Sequence, residues 1–280
     1  MSWVFQTLLY GVLKGVRDVV KKESLKKSSV VEVLFFYTLF AFIFCIPVSR
    51  DIGQINVRFL PFIFIKSFVI FLAWILSFKA ITKMPLSLYG ILDLSRVMFA
   101  TLLGIFVLGE PSTRNQRIGL VLVGAGLLLL KRRKSEEDEN VSPIVIGFAF
   151  LSCVLNAISG LLDKVLTKDV TPSQLQFYYM LFMTLLYLIY LIIDRHEVDI
   201  KSSVKNYWIW ILAFLFVIAD KSLFIANANP ESKITIMTLI KQSGCVITLL
   251  AGKFIYKEKN MLHKFICAAI IIAGIVVAVM

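Results

Sequence analysis

Eleven ionisable side chains stand inside long apolar stretches: Lys14, Arg17, Asp18, Lys79, Asp93, Arg96, Asp163, Lys164, Asp220, Lys221 and Lys241. A charge at the bilayer centre is costly, so such groups face a bundle interior or a wet cavity and usually pair. These residue types suit holding a charged solute rather than breaking bonds. Two cations facing one cavity, Arg96 and Lys241, could clamp a phosphate or carboxylate. The competing reading is internal neutralisation: Asp93 and Arg96 are spaced i,i+3, and Lys241 would pair with Asp93 or Asp220. Asp18 and Asp163 would carry a coupling proton, bind a cationic substrate, or hold Arg17 and Lys164. Both lie towards helix ends, which favours snorkelling to the interface. Lys14 and Lys79 lie deeper. Trp74, Tyr37, Tyr89, Tyr178 and Tyr179 could stack on a ring or sugar; packing competes for each.

Other chemistry finds no residues. Cys45, Cys153, Cys245 and Cys267 lie in apolar spans without metal or redox spacing, and read as small buried hydrophobes. His196 and His263 have no carboxylate or cysteine arrangement around them, so neither a nucleophile–base pair nor a zinc site can be built. No catalytic residue, metal or cofactor is expected, and there is no phosphate-binding Gly-x4-Gly-Lys-Ser/Thr motif. The net charge of +12 sits mostly in short loops beside apolar segments, where Lys and Arg set membrane orientation; no basic groove with stacking aromatics points to nucleic acid.

The elements that must position these charges are helices. The 280 residues are 59% hydrophobic with mean hydropathy +0.84, the composition of an integral membrane protein. Ten apolar helices are expected, near residues 3–20, 30–48, 60–81, 86–108, 116–130, 144–166, 173–193, 207–228, 234–255 and 262–280. A span takes about 20 residues, so only short loops remain. The first run carries Lys14, Arg17 and Asp18, which spoil a signal-peptide core, and is read as a retained span. Residues 21–28 read as a wet basic turn. The charged stretch 131–143 joins two units, 1–130 and 144–280.

Those units repeat. Setting Glu110 on Glu258 gives an offset of 148, at which Ser95 falls on Ser243, Gly104 on Gly252, Arg96 on Gly244 and Asp93 on Lys241; Asp18 and Gly15 match Asp163 and Gly160 at an offset of 145. Five helices per unit is odd, so the repeats insert upside down relative to each other. The expected fold is all-α and polytopic: ten transmembrane helices as two inverted five-helix repeats. A polar cavity lined by the first four helices of each unit follows, with helices five and ten outside it. Glu110 and Glu258 read as caps on a neighbouring helix N-terminus. Gly119, Gly124 and Gly126 of helix five serve close packing or a homodimer face. Tyr207, Trp208 and Trp210 read as interface anchors.

Ala80 to Lys131, with the Gly109-Glu110 break and the Gly119-x4-Gly124 helix, resembles the EamA-type repeat of the drug/metabolite transporter superfamily; Ala228 to Met280 repeats it more loosely, keeping Glu258 but not the preceding glycine. The resemblance implies a ten-helix secondary transporter working by alternating access, with cytoplasmic termini. The positive-inside count, 14 Lys and Arg in odd-numbered loops against 6 in even-numbered ones, places the termini outside instead. The nucleotide-sugar and sugar-phosphate branch places basic residues on helices four and nine, as Arg96 and Lys241 stand here; its helix-seven motif is matched only by the aromatics of Phe177-Tyr178-Tyr179. The expected substrate is an organic anion or phosphorylated metabolite. Rival expectations are an exporter of amino acids or organic cations using Asp18, Asp163 and Asp220, and a non-transporting scaffold or partner subunit. Expected partners are a small-molecule substrate, the lipid bilayer of the inner or plasma membrane, and a coupling proton or counter-substrate.

Overall fold

The computed structural model describes residues 2–49, 52–108, 113–132, 140–194, 199–232, 237 and 240–279. The helices are α1 (Ser2–Ser24), α2 (Val30–Cys45), α3 (Leu60–Thr82), α4 (Leu86–Asp93), α5 (Ser95–Leu108), α6 (Arg114–Arg132), α7 (Pro143–Leu166), α8 (Pro172–Asp194), the short α9 (Ile200–Lys205), α10 (Tyr207–Ala228), α11 (Ser243–Phe254) and α12 (Met261–Val279). Among the described residues six helical segments, those of α3, α4–α5, α7, α8, α10 and α12, are long and apolar enough to cross a membrane; α2 and α11 are shorter apolar helices. Large apolar side chains such as Phe62, Val121, Leu128, Ile192 and Ile193 point outwards, as a protein dissolved in lipid requires.

Helix boundaries follow local chemistry. Ser29 and Glu32 form a capping box at the start of α2. Pro sits in the first turn of α3 and of α7, where its missing N–H is not needed. The expected helices four and nine are not continuous. Helix four breaks at Leu94, whose carbonyl accepts from Val97 N at 3.2 Å; helix nine breaks at Gln242, whose carbonyl accepts from Cys245 N at 2.9 Å. At the 148 offset Leu94 falls on Gln242 and Val97 on Cys245, so the same turn interrupts both helices at equivalent positions.

Packing repeats as well. α1 packs on α10 and α3 on α7; α2 packs on α8; α1 packs on α11 and α7 on α5; α6 packs on α12. Exchanging each helix of one unit for its counterpart maps these pairs onto one another, which is the signature of two interlocked helical repeats.

One face gathers the end of α1, the starts of α4 and α10 and the end of α11; the end of α6 and the start of α7 lie there too, and it is called the linker face. The other, where α1 begins and α12 ends, is the terminal face. Glu258 seals the linker face: its carboxylate accepts from Leu86 N at 2.7 Å, Ser87 N at 3.2 Å and the Ser87 hydroxyl, and lies 3.6 Å from Lys264 Nζ. This is the expected cap, here on α4 of the other repeat; Glu110 lies outside the described residues, as does His196. Tyr256 donates to Glu23 at 2.7 Å, and Asn206 donates to Ser24 O at 3.0 Å, further tying the repeats together there. Glu258→Ala leaves three donors without their acceptor, each costing about 1–3 kcal/mol if buried. A lowered unfolding temperature in detergent is expected, with Glu258→Gln losing less because its amide oxygen still accepts.

The glycines of helix five answer to packing within the chain. A Cβ on Gly119 would lie 2.4 Å from Gly274 O and one on Gly126 2.5 Å from Ile271 Cγ1, both on α12. That face of α6 is filled by α12, whereas the Gly124 position has nothing within 4 Å.

Candidate functional site: a cation-rich cavity between the repeats

A cavity of about 230 Å³ lies between the two repeats. It reaches from Lys21, Ser77 and Tyr89 near the linker face to Leu103, Lys164, Asn227 and Met237 near the terminal face. The broken helices explain its shape. Their linker-face halves touch: a Cβ on Gly90 would lie 2.0 Å from Thr248 Oγ1, and one on Gly252 3.0 Å from Ser87 Cβ. Beyond the breaks the cavity lies between them, lined by Arg96, Val97 and Ala100 of α5 and by Lys241 and Gln242 before α11. No lining residue comes from α6 or α12.

Most expected site residues line this cavity: Arg96, Lys241, Lys14, Trp74, Tyr37, Tyr89, Tyr179, Asp18, Asp163 and Asp220. Asp93 stands just behind the wall, where its carboxylate receives Lys14 Nζ and, at 2.8 Å, Arg96 Nη2. Arg96 is thus paired with Asp93 and also lines the cavity. Lys79 and Tyr178 do not line it and are corrected. On α3 the cavity side is Lys66, Ile70, Trp74, Ser77 and Phe78, one stripe at helical spacing, and Lys79 falls off that stripe. Tyr178 instead donates to Ile52 O at 3.2 Å.

Several pairings differ from expectation. Asp18 and Asp163 do not snorkel; both are buried. Asp18 pairs with Lys21 at 2.9 Å, and α1 continues to Ser24, through the first half of the stretch expected as a wet turn, carrying Lys21 into the cavity wall. Asp163 pairs with Lys66 at 3.0 Å rather than with Lys164. Lys66 is 2% exposed and stands 3.4 Å from the Tyr179 ring centroid and 5.1 Å from that of Phe224. It was missed because it lies near a helix start, where lysine usually snorkels. Asp220 faces Arg17 Nη1 at 3.6 Å, and Arg17 also donates to Tyr37 at 3.2 Å and covers Phe216. Lys241 makes no ion pair among the described residues; its ammonium lies 5.9 Å from the Tyr10 ring centroid.

Cations exceed carboxylates. Lys14, Arg17 and Lys21 of α1, Lys66, Arg96, Lys164 and Lys241 line the cavity against Asp18, Asp163 and Asp220, with Asp93 behind. Buried Arg17 Nε and Nη1 and Arg96 Nε have no hydrogen-bond acceptor among the described residues. Beside them Tyr37, Trp74, Tyr179 and Phe216 form one aromatic cluster, with Tyr37 stacked on Trp74 at 5.1 Å. The wall thus has a cationic part able to take acceptor oxygens and an aromatic part able to cover apolar surface.

The chain is similar in fold to a solved structure titled only "Crystal structure of protein", with a TM-score of 0.70 and 13% identity over 99% of this chain and 97% of that one. In all, 28 solved chains match. No curated protein sequence matches it. The family model described as "EamA-like transporter family" matches residues 1–132 and 143–280. The chain, a multi-pass helical membrane protein with two matching repeats, belongs to the EamA-like transporter family.

Proposed function

We propose that this protein crosses the membrane ten times and moves a small organic anion, a phosphorylated or carboxylated metabolite, by alternating access. Residues 1–130 and 144–280 are its two units and 131–143 their linker. The excess of cations over carboxylates in the cavity carries this reading. Arg96 and Lys241 hold the anionic group, with Lys14 behind Arg96 and the orphaned guanidinium N–H groups of Arg17 and Arg96 supplied with acceptors on binding. Tyr37, Trp74 and Tyr179 cover the uncharged part of the substrate.

The aromatic cluster and three carboxylates would also suit an organic cation. Those features are already taken: Lys66 occupies the Tyr179 face, Arg17 covers Phe216, and Asp18, Asp163 and Asp220 each face a cation of the chain itself. The scaffold reading asks for charges paired around a filled centre, whereas these line a cavity.

Exchange in proteoliposomes loaded with a panel of phosphate monoesters and dicarboxylates tests the proposal. Hydrogen bonds to charged groups contribute about 1.5–3 kcal/mol, so Arg96→Gln and Lys241→Gln should each weaken apparent affinity roughly 10- to 150-fold. Normal exchange by both variants overturns it.

A further inference from the structure

The two repeats meet at two equivalent helix crossings that differ in this structure. At the first, α1 lies against α11 with backbones touching: a Cβ on Gly15 would come 2.6 Å from Gly244 O, and one on Gly244 2.7 Å from Gly11 O. At the second, α7 against α5, the residue matching Gly15 is Gly160 and the residue matching Gly244 is Arg96. Gly160 is exposed, has nothing within 4 Å of its Cβ position and lines the cavity, as does Arg96. The first crossing is closed at its glycines; at the second, α7 packs on α5 elsewhere along its length but leaves the Gly160 position open to the cavity. Inverted repeats exchange such states, so in the opposite state α7 must approach α5 at Gly160. There the chain has placed its bulkiest cation where the first crossing tolerates no side chain at all.

We propose that Arg96 is a gate as well as a ligand: its side chain, held by Asp93, keeps the stretch of α7 around Gly160 from closing on α5, and the terminal face closes onto Gly160 only when an anion draws the guanidinium into the cavity. This rests on the anion reading above and adds a coupling rule to it. An empty cavity stays open to the terminal face, and a loaded one closes, because the ligand binds the closed arrangement better than the open one. Such a rule favours exchange over leak.

The test reads accessibility and needs no known substrate. In a background with Cys45, Cys153, Cys245 and Cys267 replaced, Ser77→Cys places a thiol in the cavity wall, and a membrane-impermeant maleimide is applied from each face of oriented vesicles. Arg96→Ala should raise labelling from the linker face at least about fivefold without any ligand, the lower end of ordinary coupling factors. Gly160→Leu should abolish linker-face labelling and leave terminal-face labelling intact. Gly147→Leu, on the same helix and equally open, should match the parent. Gly160→Leu has no neighbour to strain and so carries the test even if Arg96→Ala assembles poorly.

Linker-face labelling that is unchanged by both Arg96→Ala and Gly160→Leu overturns the gate. If Arg96→Gln and Lys241→Gln still lose anion exchange, that failure leaves the anion reading standing. If labelling shifts as expected but Lys241→Gln and Arg96→Gln exchange anions normally, the anion reading falls and with it the anion's part in the gate.

Discussion

Asp93→Ala should destabilise the protein by about 3–5 kcal/mol, the usual cost of removing one partner of a buried ion pair. Asp93 is 5% exposed and faces two cations, Lys14 and Arg96, from two helices. Its loss leaves both with no carboxylate partner among the described residues. Lys14 reaches Asp93 from α1, so the contact also fixes α1 against the break in helix four. The measurement is equilibrium or thermal unfolding in detergent, run as a double-mutant cycle with Lys14→Met. Removing Lys14 in the Asp93→Ala background should restore part of the loss, since one unpaired charge is then gone. A single-variant effect below about 1 kcal/mol, typical of exposed pairs, would mean that water reaches the triad and that it does not form part of a dry wall.

The repeat was legible because matched residues survive at fixed offsets. The breaks in helices four and nine were not. Apolar residues run through Leu92 and Leu94 without proline, and hydropathy does not register a single tightened turn. The cavity charges were legible one by one, because a charge inside an apolar run is conspicuous, but their partners were not. Partnership depends on rotation about each helix. Lys66 shares the face of Ile70, Trp74 and Ser77, and extending that stripe by helical spacing from Trp74 would have found it and dismissed Lys79. The same geometry separates the neighbours Tyr178 and Tyr179: about 100° of helix rotation lies between adjacent residues, so the cavity takes only one. Lys21 was hidden by its surroundings. Four lysines in seven residues read as a solvated turn, yet the first two belong to α1 and Lys21 turns inwards to Asp18.

Lys66→Met should cost a further large amount, about 3–5 kcal/mol, by stranding Asp163. The ammonium also gives up its place over Tyr179, a contact worth up to about 2 kcal/mol when desolvated. Replacing the pair together, Lys66→Met with Asp163→Leu, should return stability close to that of the parent, because buried pairs commonly exchange for apolar residues at little cost. Unfolding in detergent and exchange in proteoliposomes then separate two roles. A double variant that is stable and still transports makes the pair a brace between α3 and α7. A stable double variant that no longer transports places the pair in the pathway. The second result is expected, because Lys66 and Asp163 both line the cavity, and because the equivalent packed pair, α1 on α10, carries the same device with polarity exchanged: the cation Arg17 on α1 faces the acid Asp220 on α10. A brace alone would not require one such pair at each pseudo-equivalent seam, both turned towards the same cavity.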